Sequence, residues 1–435
     1  MTASRTYLHI LLAAALAVAV GVTVVLLSAA WLRSAPDDAP TAVVATTAPR
    51  SDMPTFPPAT LDSRPDLSAS GDHVEVCGVG WVKAKPLPED PVPKATYAAA
   101  DAALDAAAQS LLKAGSAAER AAAFYMLRGV TWQRAMDAYL LASPGCAEDA
   151  ACVQRATEQG SREAAVVARR FAHEGLATLD PRFYALAYHA CGRGVEGGRT
   201  DAACTQFTAV RWAQLDASNA APWLLLADAA HARKDAAARD EALLRASKAA
   251  YSDPYFESLF ALAEHPLVRN APPATRLAVM IRITGLWAAF PHPQLLSVSQ
   301  ACSAAAVGEA DRRQMCSDLA QLFTERSTSP LQLALGIRIG ERVGWPAERL
   351  AAPTERLDAL NAVQSASPLD WTSCAALARA EAHQRALLRH GELGAAERQA
   401  ASTGRTTAEL AAEWRAKRRP GARTTDAPKV PAAKP

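Results

Sequence analysis

Apolar residues recur at three- and four-residue spacing over most of this chain, and alternate with period two almost nowhere. That pattern predicts an all-α protein. It is clearest in Leu176–Pro254, which reads as two successive helical hairpins. In the second, Asn219 caps a helix, Pro222 lies in its first turn, and Trp223, Leu226 and Ala230 share one face. Lys234-Asp235 interrupts it. A partner helix from about Ala236 to Ala250 then carries Leu243, Ala246 and Ala250 on one stripe, and ends before Asp253-Pro254. Ser116 with Glu119 predicts a capping box, and Ser143-Pro144-Gly145 ends the helix that carries Trp132, Met136 and Tyr139. Helical period continues over 95–400, punctuated by Asp180-Pro181, Pro272-Pro273, Ser329-Pro330 and Ser367-Pro368. Stacked antiparallel hairpins, an irregular α-solenoid, are the economical way to bury so many helical faces without a sheet.

Outside 95–400 the pattern changes. Ile10–Leu32 holds 23 residues without a charge, about 34 Å as a helix, enough to cross a bilayer core as one transmembrane helix. A cleaved leader is the rival reading, since Ser28-Ala29-Ala30 resembles a processing site, but the apolar run is longer than leaders need. Residues 1–9 then form a short cytoplasmic segment, and 33–72, rich in Pro, Ala, Thr and Ser, a disordered linker. The lead-in at 73–94 contains one extended stretch, 73–84, expected to pack as a single β segment or loop. Residues 401–435 are basic and Pro/Ala-rich at their end, and read as a disordered tail.

A Trp early in one helix, a short polar turn, small residues in the next helix and a closing Pro resemble the tetratricopeptide repeat. Trp223, Leu226, Ala227, Leu243 and Ala246 stand at its packing positions, although Arg239 falls where a small residue is usual. Tyr184, Ala187, Tyr188 and Cys191 make a looser match one hairpin earlier. The resemblance implies a curved surface that binds proteins or peptides, with Tyr184, Tyr188, Trp223 and Leu226 as candidates for its inner face.

Eight cysteines suit an oxidising compartment. Ala185–Cys191 echoes Leu296–Cys302, and the echo brings Cys204 and Cys316 within one residue of register, each pair bracketing a turn. Cys191 with Cys204 and Cys302 with Cys316 are therefore expected to meet across hairpins. A turn at Pro144-Gly145 allows Cys146 to reach Cys152, which leaves Cys77 for Cys374. The competing reading is eight buried thiols. Arg5 before the span and Arg33 after it leave its orientation open, so the cysteines set the compartment.

A net charge of +2 argues against nucleic acid as a partner of the whole chain. Chemistry is sparse. Gly192–Gly197 matches a dinucleotide fingerprint by letter but joins two helices, and Ser110 with Lys113 lacks the companion motifs of penicillin-interacting enzymes. His383 and His390 share a face without a carboxylate, so no metal and no cofactor is expected. The reading is a single-pass protein of a bacterial inner membrane, anchored in the lipid bilayer by 10–32. Its periplasmic helical body binds a protein or peptide of the cell envelope and has no enzymatic activity. The alternative is a cell-envelope hydrolase with a dispersed active site.

Overall fold

The computed structural model describes residues 73–83, 92–143, 145–146, 149–191, 202–290, 295–365 and 370–418. The expected transmembrane helix at 10–32, the segments flanking it, the turn at Gly192–Gly197 and the chain after Arg418 lie outside those residues. Among the described residues no helix is long and apolar enough to cross a membrane.

The fold is mostly helical, and its one described sheet is a two-stranded hairpin. Strands β1 (His73–Val76) and β2 (Gly80–Lys83) pair antiparallel, with Val74 opposite Val82 and Glu75 opposite Trp81. The 73–84 stretch is therefore a hairpin and not a single segment. Its turn needs glycine: Gly78 has φ +79°, and a Cβ there would lie 2.6 Å from the Ala274 nitrogen.

Helices α1 (Lys94–Ala114), α2 (Ala117–Ala142) and α3 (Ala150–Ala177) follow as an antiparallel stack. The capping box forms as expected, with Glu119 N–H donating to Ser116 Oγ and Ser116 N–H to the Glu119 carboxylate at 2.8 Å. Buried alanines at 107, 108 and 121–123 let these backbones approach closely. Next come α4 (Pro181–Cys191), α5 (Ala209–Leu215), α6 (Ala220–Ala232) and α7 (Ala236–Ser247). Asn219 caps α6 through Ala221 N–H, and Asp235 caps α7. The α6–α7 pair is a helical hairpin whose turn is made at Lys234, φ 60°.

A 3-10 segment (Phe256–Leu262) then leads to α8 (Pro266–Arg269), α9 (Pro273–Ala288), α10 (Leu296–Ala301), α11 (Ala310–Glu325), α12 (Pro330–Arg342) and α13 (Ala347–Ser365). The chain closes with α14 (Cys374–Ser402), kinked at Gly391, and α15 (Thr407–Arg418). The helical body thus extends beyond residue 400, and 401–418 are not a disordered tail. Leu410 and Ala411 are buried against α13 with Trp414 packed beside them, so an apolar stripe holds the basic turn in place.

Cores also join helices far apart in sequence. The largest takes residues from β1, α1–α4, the 3-10 segment, α9 and α14, with Phe124, Phe171 and Phe183 in mutual ring contact. A second unites α6, α7, α10 and α11. In a one-dimensional solenoid each repeat touches only its neighbours. Here α1 packs on α9 and the 3-10 segment on both α2 and α14, so early helices close on elements far along the chain.

Four disulfides close: Cys77–Cys374, Cys146–Cys152, Cys191–Cys204 and Cys302–Cys316. No described cysteine is free. These are the pairs expected from hairpin spacing for Cys191–Cys204 and Cys302–Cys316, from a local turn for Cys146–Cys152 and by remainder for Cys77–Cys374.

Candidate functional site

The expected inner face does not assemble. Tyr184 is only 1% exposed. Its hydroxyl accepts from Thr208 N–H at 3.1 Å and lies 3.3 Å from the Thr208 carbonyl, so it clasps the start of α5 and offers nothing to a partner. Tyr188 is half-buried against Trp212, in the largest core. Trp223 and Leu226 are half-buried on the second core, with the Arg245 guanidinium 5.1 Å over the Trp223 ring. The four residues belong to two cores because their repeat-like positions are packing positions in both. Ser110 remains on the edge of α1, and among the described residues no group of three His, Cys, Asp or Glu is placed to hold a metal.

Two arrangements that the pattern of the chain does not announce carry more. The first is the hairpin surface. Cys77 is bonded to Cys374, Cys77 N–H donates to the Thr372 carbonyl at 2.8 Å, and the Thr372 hydroxyl donates to the Glu75 carbonyl. This three-point attachment fixes a small platform on which Val79 is 43%, Trp81 37% and Trp371 46% exposed. Trp371 lies outside every core cluster of the described residues. Rigidly held, exposed tryptophans are the residue type that dominates binding energy at interfaces.

The second is a carboxyl pair where the 3-10 segment, the start of α12 and the kink of α14 meet. Tyr255 adopts a left-handed conformation, φ 65°, unusual for a residue with a side chain. Its hydroxyl donates to Asp216 at 2.8 Å, and Asp253 accepts its N–H at 2.7 Å. That bend brings Glu257 to the cleft. From the other side Gly391, φ 70° and ψ 177°, breaks α14, and Leu393 N–H donates to the Thr328 carbonyl at 2.7 Å. The break brings Glu392 beside Glu257, with Pro254, Trp287 and Ser329 around them.

Burial pushes the Glu257 carboxyl up to about 8, and the charges of Asp253 and Glu392 push the same way. A hydrogen bond from the Glu392 N–H partly offsets this. Burial also pushes Glu392 up to about 7 against a hydrogen bond with Ser329, and raises Asp253. Two carboxyls that exchange protons near neutrality on a strained backbone form a candidate acid–base pair. The cleft has about 30 Å3 of space for water-sized molecules, too little for a bulky substrate. No motif links these residues in sequence; the isolated Gly391 inside a helical pattern is the one local sign.

Comparison of the chain with protein families, with curated proteins and with solved structures finds no match in any of the three.

Proposed function

We propose that this protein is a membrane-tethered binding module of the bacterial cell envelope, with its helical, tetratricopeptide-like body on the periplasmic side of the inner membrane. Four disulfides and no free described cysteine support an oxidising compartment. The uncharged run Ile10–Leu32 supplies the tether. The observation that carries the binding reading is the exposed Trp81 on the disulfide-fixed hairpin together with exposed Trp371 on the segment that holds it. An anchor that concentrates such a surface near the membrane strengthens the capture of a membrane-associated protein without new contacts.

Two measurements test it. A reporter fused behind Pro435 is expected to be active only on the periplasmic side; cytosolic activity refutes the address. A photo-crosslinking residue at position 81 or 371, in intact cells, is expected to trap one defined envelope protein, while the same residue at Ser110 traps none. Equal labelling at all three positions refutes the surface.

The Glu257–Glu392 pair favours a second reading, a cell-envelope hydrolase acting on a small scissile group. A hydrolytic activity that falls at least about a hundredfold in Glu257→Gln, the size of a general acid–base contribution, would replace the first reading with this one.

A further inference from the structure

A separate pocket of about 210 Å3 opens between α8, α9 and α14. It shares no lining residue with the hairpin surface or the carboxyl pair. Three guanidinium groups, Arg269, Arg276 and Arg385, and two carboxylates, Glu264 and Glu381, line it. Their pairing is incomplete. Arg276 Nε donates to Glu381 at 2.8 Å, which ties α9 to α14. Arg385 comes only within 3.7 Å of Glu264, beyond ordinary hydrogen-bond distance, so both keep unused donor or acceptor capacity. The Arg269 side chain makes no hydrogen bond or ion pair among the described residues. Behind the charges Val268 and Val279, 3% and 1% exposed, contribute a small apolar floor to a lining that is otherwise mostly polar.

We propose that this pocket binds a free α-amino acid with a small apolar side chain. Arg269 and Arg385 take its carboxylate, Glu264 takes its ammonium group, and the side chain rests on Val268 and Val279. Three physical points converge on that class. Guanidinium forks match carboxylate oxygens and, with spare donors, bind them in pairs. A simple anion would lie against Glu264 and Glu381, and a simple cation against an excess of arginine, whereas a zwitterion satisfies both signs. The volume is below the roughly 300–1,000 Å3 of sites for drug-sized ligands, so the occupant is small. The proposal is independent of the binding-module reading.

Equilibrium dialysis of the full-length protein in detergent with labelled L-valine, N-acetyl-L-valine and L-valinamide tests it. L-valine is expected to bind, and each derivative, lacking one charge, to bind at least about tenfold more weakly. Arg269→Ala should weaken L-valine by about tenfold or more with the melting temperature unchanged, since that side chain has no structural partner. Glu264→Gln should weaken L-valine while sparing N-acetyl-L-valine. No retention of L-valine by the wild-type protein overturns the proposal. So does equal binding of N-acetyl-L-valine, which would mark a plain anion site, and so does full affinity in Arg269→Ala.

Discussion

Cys77 and Cys374 stand 297 positions apart in the chain, yet their Cα atoms lie 4.5 Å apart and a disulfide joins them. The bond encloses most of the folded body. It ties the first described element, the β-hairpin, to the N-terminus of α14. Cross-linking over a long loop removes more freedom from the unfolded chain than over a short one. Replacing both partners, as Cys77→Ser with Cys374→Ser, is expected to cost about 5–6 kcal/mol in the chain-entropy treatment, against about 2 kcal/mol for the six-residue Cys146–Cys152 link. Urea unfolding of the two double variants measures the difference, and equal losses would mean that the hairpin is not held by the bond.

Local physics made the pairing readable. Cys191–Cys204 and Cys302–Cys316 are separated by 13 and 14 positions, short enough for hairpin spacing to bring them together, and Cys77–Cys374 followed as the remainder. The caps at Ser116, Asn219 and Asp235 were equally local. What stayed hidden depends on partners. Tyr184 stands at a repeat-like position that the resemblance assigns to a binding face, and only the arrival of Thr208 shows that it is buried. Thr407–Arg418 was obscured by charge, because its Leu410, Ala411 and Trp414 stripe is short beside four basic residues nearby. Glu257 and Glu392 meet through two backbone bends, at Tyr255 and Gly391, that no periodicity encodes.

The carboxyl pair predicts a sloping pH profile. Both folded-state values, about 8 and about 7, lie above the ordinary 4.5, so the folded protein holds more protons than the unfolded chain in between. Stability therefore falls as pH rises from about 4.5 to about 8. The groups facing the pair are Asp253, itself raised, and the Ser329 hydroxyl, and among the described residues no basic side chain lines the cleft. Glu257→Gln is expected to flatten the slope and to stabilise at pH 8 by on the order of 1–2 kcal/mol, discounted for the open mouth of the cleft. Urea midpoints at pH 5 and pH 8 check this; a slope unchanged by the substitution would remove the pair as its cause.

Gly391 is expected to resist substitution. Its φ of +70° disfavours any side chain, and a Cβ there would lie 2.8 Å from the Thr328 Cβ. Gly391→Ala should cost about 2 kcal/mol or more, from backbone strain and from the displaced Leu393–Thr328 hydrogen bond. Gly404, also at positive φ (+71°) but with nothing within 4 Å of a Cβ, should lose only the strain, about 1 kcal/mol. Thermal unfolding of both variants separates crowding from backbone conformation.

Tyr184 and Trp81 should respond in opposite ways. Tyr184→Phe removes the acceptor of Thr208 N–H in a buried site, which costs about 1–3 kcal/mol of stability and leaves partner capture unchanged. Trp81→Ala deletes an exposed ring, so stability should stay within about 0.5 kcal/mol while partner affinity falls by about tenfold or more. Paired denaturation and crosslinking measurements on the two variants distinguish the residue that builds the fold from the residue that faces outward. If Tyr184→Phe lost partner and Trp81→Ala did not, the binding surface would lie at the helical repeats and the hairpin would be only a clasp.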